Sequence, residues 1–237
     1  RDRAKDVVLG TWAEPWIRAL RGVMKPGRKY PDARWWNNAL KSRKEWQDAL
    51  VQVHALKLPP HNDSPKNWDS LAALDCILRN TNRHATILDA GAESYSVVLP
   101  WLQSYGYKNL TGINLAFDNA WQRGWIRYEH GDITQTRFSA GTVDVVVCLS
   151  VIEHGVSIPA YLAEMARILK PGGLLITSCD YWDEGIDTKG QVAFVAPIHV
   201  YSRGEIGGML GTAKSGGFEL LGALSLDCRE KAVSWRD

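Results

Sequence analysis

The stretch Ile87-Leu88-Asp89-Ala90-Gly91-Ala92-Glu93 joins a short apolar run to a glycine turn. That pattern ends a buried strand at the carboxyl edge of a sheet, where bare backbone must pass close to a ligand. Gly91 suits the tight turn, and the loop continues through Ser94 and Tyr95. Outward from this point the chain alternates strand and helix patterns, the signature of a parallel sheet covered on both faces. Strands are predicted over Thr86 to Ala90, Asn109 to Asn114, Ile126 to His130, Val143 to Leu149, Gly173 to Cys179 and Phe218 to Leu226. Helices are predicted near Ser96 to Tyr105, Ala116 to Arg123, Pro159 to Leu169 and Gly204 to Ser215. Lys170-Pro171-Gly172-Gly173 should stop the third of these sharply, since proline cannot continue a helix and glycine accepts its left-handed cap.

Upstream the pattern differs. Residues 1–66 read as a helical extension, rich in tryptophan and basic, and residues 67–237 as the α/β domain. Pro26-Gly27 and Tyr30-Pro31-Asp32 are breakers, Trp35 to Leu56 is the longest helical candidate, and a further helix is expected from Trp68 to Asn80. Trp12, Trp16, Trp35, Trp36, Trp46 and Trp68 either pack the extension onto the domain, since large aromatics carry much packing energy, or line an acceptor pocket beneath a lid.

Charge is uneven: residues 1–67 hold 14 Lys/Arg against 7 Asp/Glu, and residues 68–237 hold 14 against 19. A basic front can meet an anionic substrate, nucleic acid or a membrane surface, or be a solvated face. No apolar run approaches the roughly 20 residues that span a bilayer, so no membrane span and a soluble, cytoplasmic protein are expected. Cys76, Cys148, Cys179 and Cys228 form no C-x-x-C pair, which indicates neither a zinc cage nor a disulfide framework. The start at Arg1, with neither an initiator Met nor a signal-like apolar run, reads as a trimmed start. Lys231 to Trp235 is a weak candidate for a last strand.

The strand ends carry the chemistry. Asn114 closes the second strand 25 residues after Asp89, near the roughly 20-residue interval that places a side chain on ribose hydroxyls. The third strand ends in Gly131-Asp132-Ile133, where a carboxylate can accept an exocyclic adenine amine while Ile133 packs on the ring. The fourth delivers Leu149, Ser150, Val151, Ile152, Glu153 and His154. Together these ask for an adenosine.

From about residue 86 to 226 the chain resembles the class I S-adenosylmethionine-dependent methyltransferases, specifically the type 11 domain. Ile87-Leu88-Asp89-Ala90-Gly91, Gly112-Ile113-Asn114, Gly131-Asp132-Ile133 and Leu149-Ser150-Val151-Ile152-Glu153-His154 match its four motifs in order. Glu164-Met165-Ala166-Arg167-Ile168-Leu169-Lys170-Pro171-Gly172-Gly173 is similar to its approach to the fifth strand. The resemblance implies a Rossmann-like, doubly wound, mostly parallel sheet of seven strands. It also implies S-adenosyl-L-methionine as cofactor, with S-adenosyl-L-homocysteine as product. The residues implied to hold the cofactor are Asp89, Gly91, Ala92, Glu93, Tyr95, Asn114, Leu115, Asp132, Ile133, Leu149 and Ser150.

Two departures stand out. Glu93 replaces the second glycine of the family's Gly-x-Gly and can turn its carboxylate toward the cofactor's ammonium. Asn114 stands where the family usually carries an acid, which forgoes a charge-assisted bond to the ribose.

A sulfonium already activates its methyl group, so the protein must align an acceptor and accommodate a proton, with no metal required. His154 is the first candidate base, since an unperturbed histidine titrates near pH 6.5. His199, ahead of the Gly204 helix, is the second, and either can instead orient a substrate. Asp180, Tyr181, Trp182 and Asp183 are expected to wall the acceptor side.

No Asn-Pro-Pro-Tyr or Asp-Pro-Pro-Tyr run and no arginine-methyltransferase carboxylate pair is present, which argues against nucleic acid or protein arginine as acceptor. The expected acceptor is a hydroxyl, or an amine, of a small molecule or a sugar of a glycan. A homodimer is admitted as the assembly. The other readings are a catalytically silent methyltransferase-like binding subunit, an RNA methyltransferase gripping phosphates with its basic front, and a nicotinamide dehydrogenase. The missing Gly-x-Gly-x-x-Gly turn counts against the last.

Overall fold

A computed structural model describes residues 29–193 and 196–233. Its sheet consists of β1 (Thr86–Ala90), β2 (Asn109–Asn114), β3 (Trp121–Arg123), β4 (Ile126–His130), β5 (Val143–Leu149) and β6 (Leu169–Ser178). The spatial order is β3-β4-β2-β1-β5-β6. Every pairing is parallel except β3 with β4. Around it lie α1 (Arg43–Ala55), α2 (Lys66–Asn80), α3 (Val98–Ser104), α4 (Ile158–Ile168) and α5 (Arg203–Ser215).

The side-chain period of two explains the layering. On β1 and β5, Ile87, Val145 and Val147 face a core shared with Leu71, Leu74 and Ile77 of α2 and with Trp101 and Leu102 of α3. Ala49 and Val53 of α1 join the same core. Leu88, Val146 and Cys148 face the opposite core with Tyr161, Met165 and Ile168 of α4. Central parallel strands need this near-continuous apolar sequence because both faces are covered. The strand order reverses between β1 and β5, which opens a crevice at their carboxyl ends.

The first four predicted strands appear as expected; the next begins earlier, at Leu169. Its early start includes an irregular register, Val143 opposite Leu169 but Val145 opposite Leu174. Gly172 adopts φ 76 within that irregularity; α4 has already ended at Ile168, with the extended Leu169 as its C-cap, so the Pro-Gly-Gly segment lies inside the strand and its glycine does not cap the helix.

Other expectations need correcting. The helix predicted near Ala116 to Arg123 is absent; its end forms β3, joined to β4 by the two residues Gly124 and Trp125. Gly124 takes φ 63, which such a tight hairpin favours, and the Gln103 side chain accepts from the Trp125 N–H at 2.6 Å. Trp121 also stacks on Tyr128 across the hairpin, with centroids 4.0 Å apart.

Phe218 to Leu226 forms no strand. Its sheet-like contact is one isolated bridge, Asn38 with Ser225, and Gly222 at φ 94 interrupts extended backbone. Among the described residues the main sheet thus has six strands rather than the expected seven; β7 (Val192–Ala193) and β8 (Ala196–Pro197) make a separate antiparallel pair.

The long helix predicted from Trp35 shortens to α1, because Trp35 and Trp36 are drawn onto α2. Trp35 stacks on Trp68 at 5.9 Å, and the Trp36 indole donates to Asp75 at 3.1 Å. Trp12, Trp16, Pro26, Gly27 and the end of the Lys231 to Trp235 candidate lie outside the described residues.

The four cysteines are free. Among the described residues, no helix is long and apolar enough to cross a membrane, and no group of His, Cys, Asp and Glu is placed to hold a metal.

Trp101 is fully buried and donates its indole N–H to Pro59 O at 2.8 Å, tying α3 to the loop before α2. Trp101→Ala should destabilise the fold by about 3–5 kcal/mol, measured as a lowered urea midpoint.

Candidate active site at the carboxyl edge of the sheet

The turn after β1 is built by close approach. Gly91 adopts φ 95, and a Cβ there would collide with the side chain of Val151 at the end of β5. The N–H groups of Gly91 and Ala92 both donate to Ile113 O, at 2.9 and 3.0 Å. Gly112 on β2 leaves room for Ala92, whose Cβ would lie 2.8 Å from a side chain there. Asp89, just before the turn, is 5% exposed, and burial pushes its carboxyl up to about 7.

Asn114 and Glu93 meet. The Asn114 amide donates to Ala92 O at 3.0 Å and to Glu93 Oε1 at 3.2 Å, while its oxygen accepts from Ala116 N–H at 2.8 Å. Ser96 Oγ accepts the Glu93 N–H at 2.9 Å. The two positions that depart from the family pattern therefore form one hydrogen-bonded unit, and the amide of Asn114 is committed within it.

Beyond β4, Asp132 is exposed and its Oδ1 accepts from both the N–H and the hydroxyl of Thr134, each at 2.7 Å. Oδ2 takes no bond among the described residues. Ile133 is buried beside it, and Leu115 projects from the loop after β2 with 64% of its surface exposed. Tyr95 lies edge-on to His61, 5.6 Å between centroids.

At the end of β5, Ser150 adopts φ 54, a left-handed conformation that costs a non-glycine residue on the order of 1 kcal/mol or more. Its N–H donates to Ser178 O at 3.1 Å, and its hydroxyl accepts from Lys66 Nζ. Leu149 is half-buried below it.

Glu153 is 1% exposed, and its Oε2 has no hydrogen-bond partner among the described residues. Burial, and then the nearby Asp180 carboxylate, push it up to about 8. Burial lowers the pKa of His154, although Asp180 opposes the shift.

His199 is brought to the same region because its N–H donates to Glu153 O at 2.9 Å. Its ring, however, is partly exposed and engages Glu205 at 2.8 Å. Tyr181 and Tyr201 form a parallel bridge beside Asp180, while Asp183 pairs with Arg203.

Sequence reasoning missed Lys66, Asp69 and His61, which come from α2 and the loop before it. Asn67, fully buried, fixes that loop: it accepts from His61 N–H at 2.9 Å and donates to Ser64 O at 2.9 Å. Asp69 accepts from Ser178 Oγ at 2.8 Å. The available signal was a lysine in the first turn of a helix, where the macrodipole disfavours a cation.

The protonation of Asp89 has a measurable consequence. The folded chain retains a proton up to about pH 7 that the unfolded chain releases near pH 4. The associated stability is therefore fully present below pH 4 and is lost as pH rises to 7. Asp89→Asn should raise the thermal unfolding midpoint at pH 8, by an amount equivalent to on the order of 2–4 kcal/mol, with little change at pH 4.

Residues 88–177 match the family described as a methyltransferase domain. No curated protein matches the chain. Among solved structures, a candidate S-adenosylmethionine-dependent methyltransferase from Listeria monocytogenes is similar at 15% identity and TM-score 0.50, covering 65% of this chain and 85% of that one. Geranyl diphosphate C-methyltransferase from Streptomyces coelicolor A3(2) is similar at 16% identity and TM-score 0.49, with 81% and 80% covered. A methyltransferase from Mesorhizobium loti gives 15% and 0.48, with 64% and 81% covered. At these identities the structural likeness speaks to the fold, and it agrees with the match of residues 88–177, which hold the motif-bearing strands, to a methyltransferase domain.

Proposed function

We propose that this chain transfers a methyl group from S-adenosylmethionine to a hydroxyl, or an amine, of a small molecule or sugar. The observation that carries the reading is that unused acceptor atoms sit along the same sheet edge as the glycine turn. Asp132 Oδ2 and Glu93 Oε2 take no hydrogen bond among the described residues, while their partner oxygens are fixed by Thr134 and Asn114. These residues fit the cofactor: Asp132 would accept the exocyclic amine, Ile133 and Leu115 would flank the adenine, and Glu93 held by Asn114 would meet the ribose hydroxyls.

The bound cofactor supplies an activated methyl group. The chain's own task is to orient the acceptor and take its proton. His154 follows the β5 turn, and its lowered pKa keeps the imidazole neutral and basic at pH 7. His199, bonded to Glu205, orients the acceptor from the side. Burial keeps Glu153 protonated at neutral pH, so it donates rather than accepts in this region.

Titration calorimetry with S-adenosylhomocysteine should give a saturable isotherm, and Asp132→Ala should weaken it about 5- to 10-fold, the loss of one hydrogen bond. Absence of binding by the unmodified protein would overturn the reading.

A further inference from the structure

Lys66 stands where a cation is locally unfavourable. It opens α2, whose N-terminal dipole end repels positive charge, and it is half-buried. A charge withdrawn from water is retained only where something compensates it. The hydrogen bond it makes goes to an uncharged group, the hydroxyl of Ser150. No carboxylate of the described residues lies within ion-pairing distance, 4.0 Å, of its ammonium. An ammonium has three donors, so two of them lack a protein acceptor among the described residues.

Its position is specific. Ser150 adjoins Val151, the side chain that presses on Gly91, so the ammonium lies at the mouth of the crevice between β1 and β5. Ser150 is held in its left-handed conformation with its N–H on Ser178, and Ser178 in turn donates to Asp69. The chain thus accepts backbone strain at the residue that holds the lysine. Although burial opposes it, the more distant carboxylates of Asp69, Asp180 and Asp63 keep Lys66 charged. A single cation with open donors amid separated carboxylates matches a zwitterion: an anion for the lysine and an ammonium for the acids.

We infer that Lys66 binds the carboxylate of the amino-acid end of the cofactor, directed there by its bond to Ser150. This rests on the cofactor reading above. It assigns the amino-acid end to a residue outside the family-matched segment and leaves Glu93 to the ribose.

The test compares two ligands by calorimetry. S-Adenosylhomocysteine carries the carboxylate; 5′-methylthioadenosine keeps the adenosine and sulfur but lacks the amino-acid end. Lys66→Gln retains a donor for Ser150 and removes the charge. It should weaken S-adenosylhomocysteine about 10- to 100-fold, the range for a hydrogen bond to a charged group, and leave 5′-methylthioadenosine within about 2-fold. Lys66→Arg should recover most of the loss.

Binding of 5′-methylthioadenosine also reports that the variant is folded. Equal weakening of both ligands, or of neither, overturns the inference while the cofactor reading stands. In the first case Lys66 only shapes the site, and in the second it serves an acceptor's anion or nothing at the cofactor. If the unmodified protein binds neither ligand, the cofactor reading fails and the inference with it.

Discussion

The contact on which the site depends is that of Gly91 against Val151. It brings the turn after β1 within van der Waals reach of the turn after β5, across the point where strand order reverses. No other residue fits easily, since the position combines φ 95 with a side chain where a Cβ would be. Gly91 and Ala92 anchor to the same Ile113 carbonyl, which locks the turn to β2 as well. One backbone conformation therefore sets the relative positions of Asp89, Glu93, Asn114 and Ser150.

That convergence concentrates carboxyl groups in a place poor in water. Asp89 and Glu153 respond by holding protons near neutral pH, as burial without a close counter-charge requires. The surrounding chain does not neutralise them with an adjacent arginine. Arginines elsewhere are committed to structural pairs, Arg79 to Asp75 and Arg167 to Glu164. At the edge of the sheet positive charge comes from Lys66 and from Arg123, which donates to Ser94 O at 3.2 Å.

How much of this could be read from sequence depended on whether the information was local. The strands over 86–90, 109–114, 126–130 and 143–149 have apolar runs long enough to identify themselves. The β3 hairpin does not: Trp121 and Tyr128 stack only because Gln103, from α3, fixes the intervening turn, a partner that periodicity cannot show. Phe218 to Leu226 has strand-like composition, but Gly222 breaks it and nothing on β6 pairs with it. Lys66 was hidden for a similar reason, as its significance lies in an 84-residue jump to Ser150. Motifs identify the groups that follow strands; they are silent about a side chain delivered from a preceding helix.

Asn114 and Glu93 illustrate how two apparent defects can be a single solution. Considered one at a time, each removes a feature the resemblance leads one to expect: a small residue in the turn and an acid after β2. The structure places the Asn114 amide 3.2 Å from a Glu93 oxygen. An aspartate at 114 would set two carboxylates at that distance, a repulsion on the order of a few kcal/mol at the effective dielectric of a protein. One of them would have to take up a proton to relieve it. With Glu93 present, an amide is the residue that can both donate to the carboxylate and hold the Ala92 carbonyl. The carboxyl group thus stands on the turn after β1 rather than at the end of β2. Asn114 serves there as the support that keeps one carboxylate oxygen aimed and the other open.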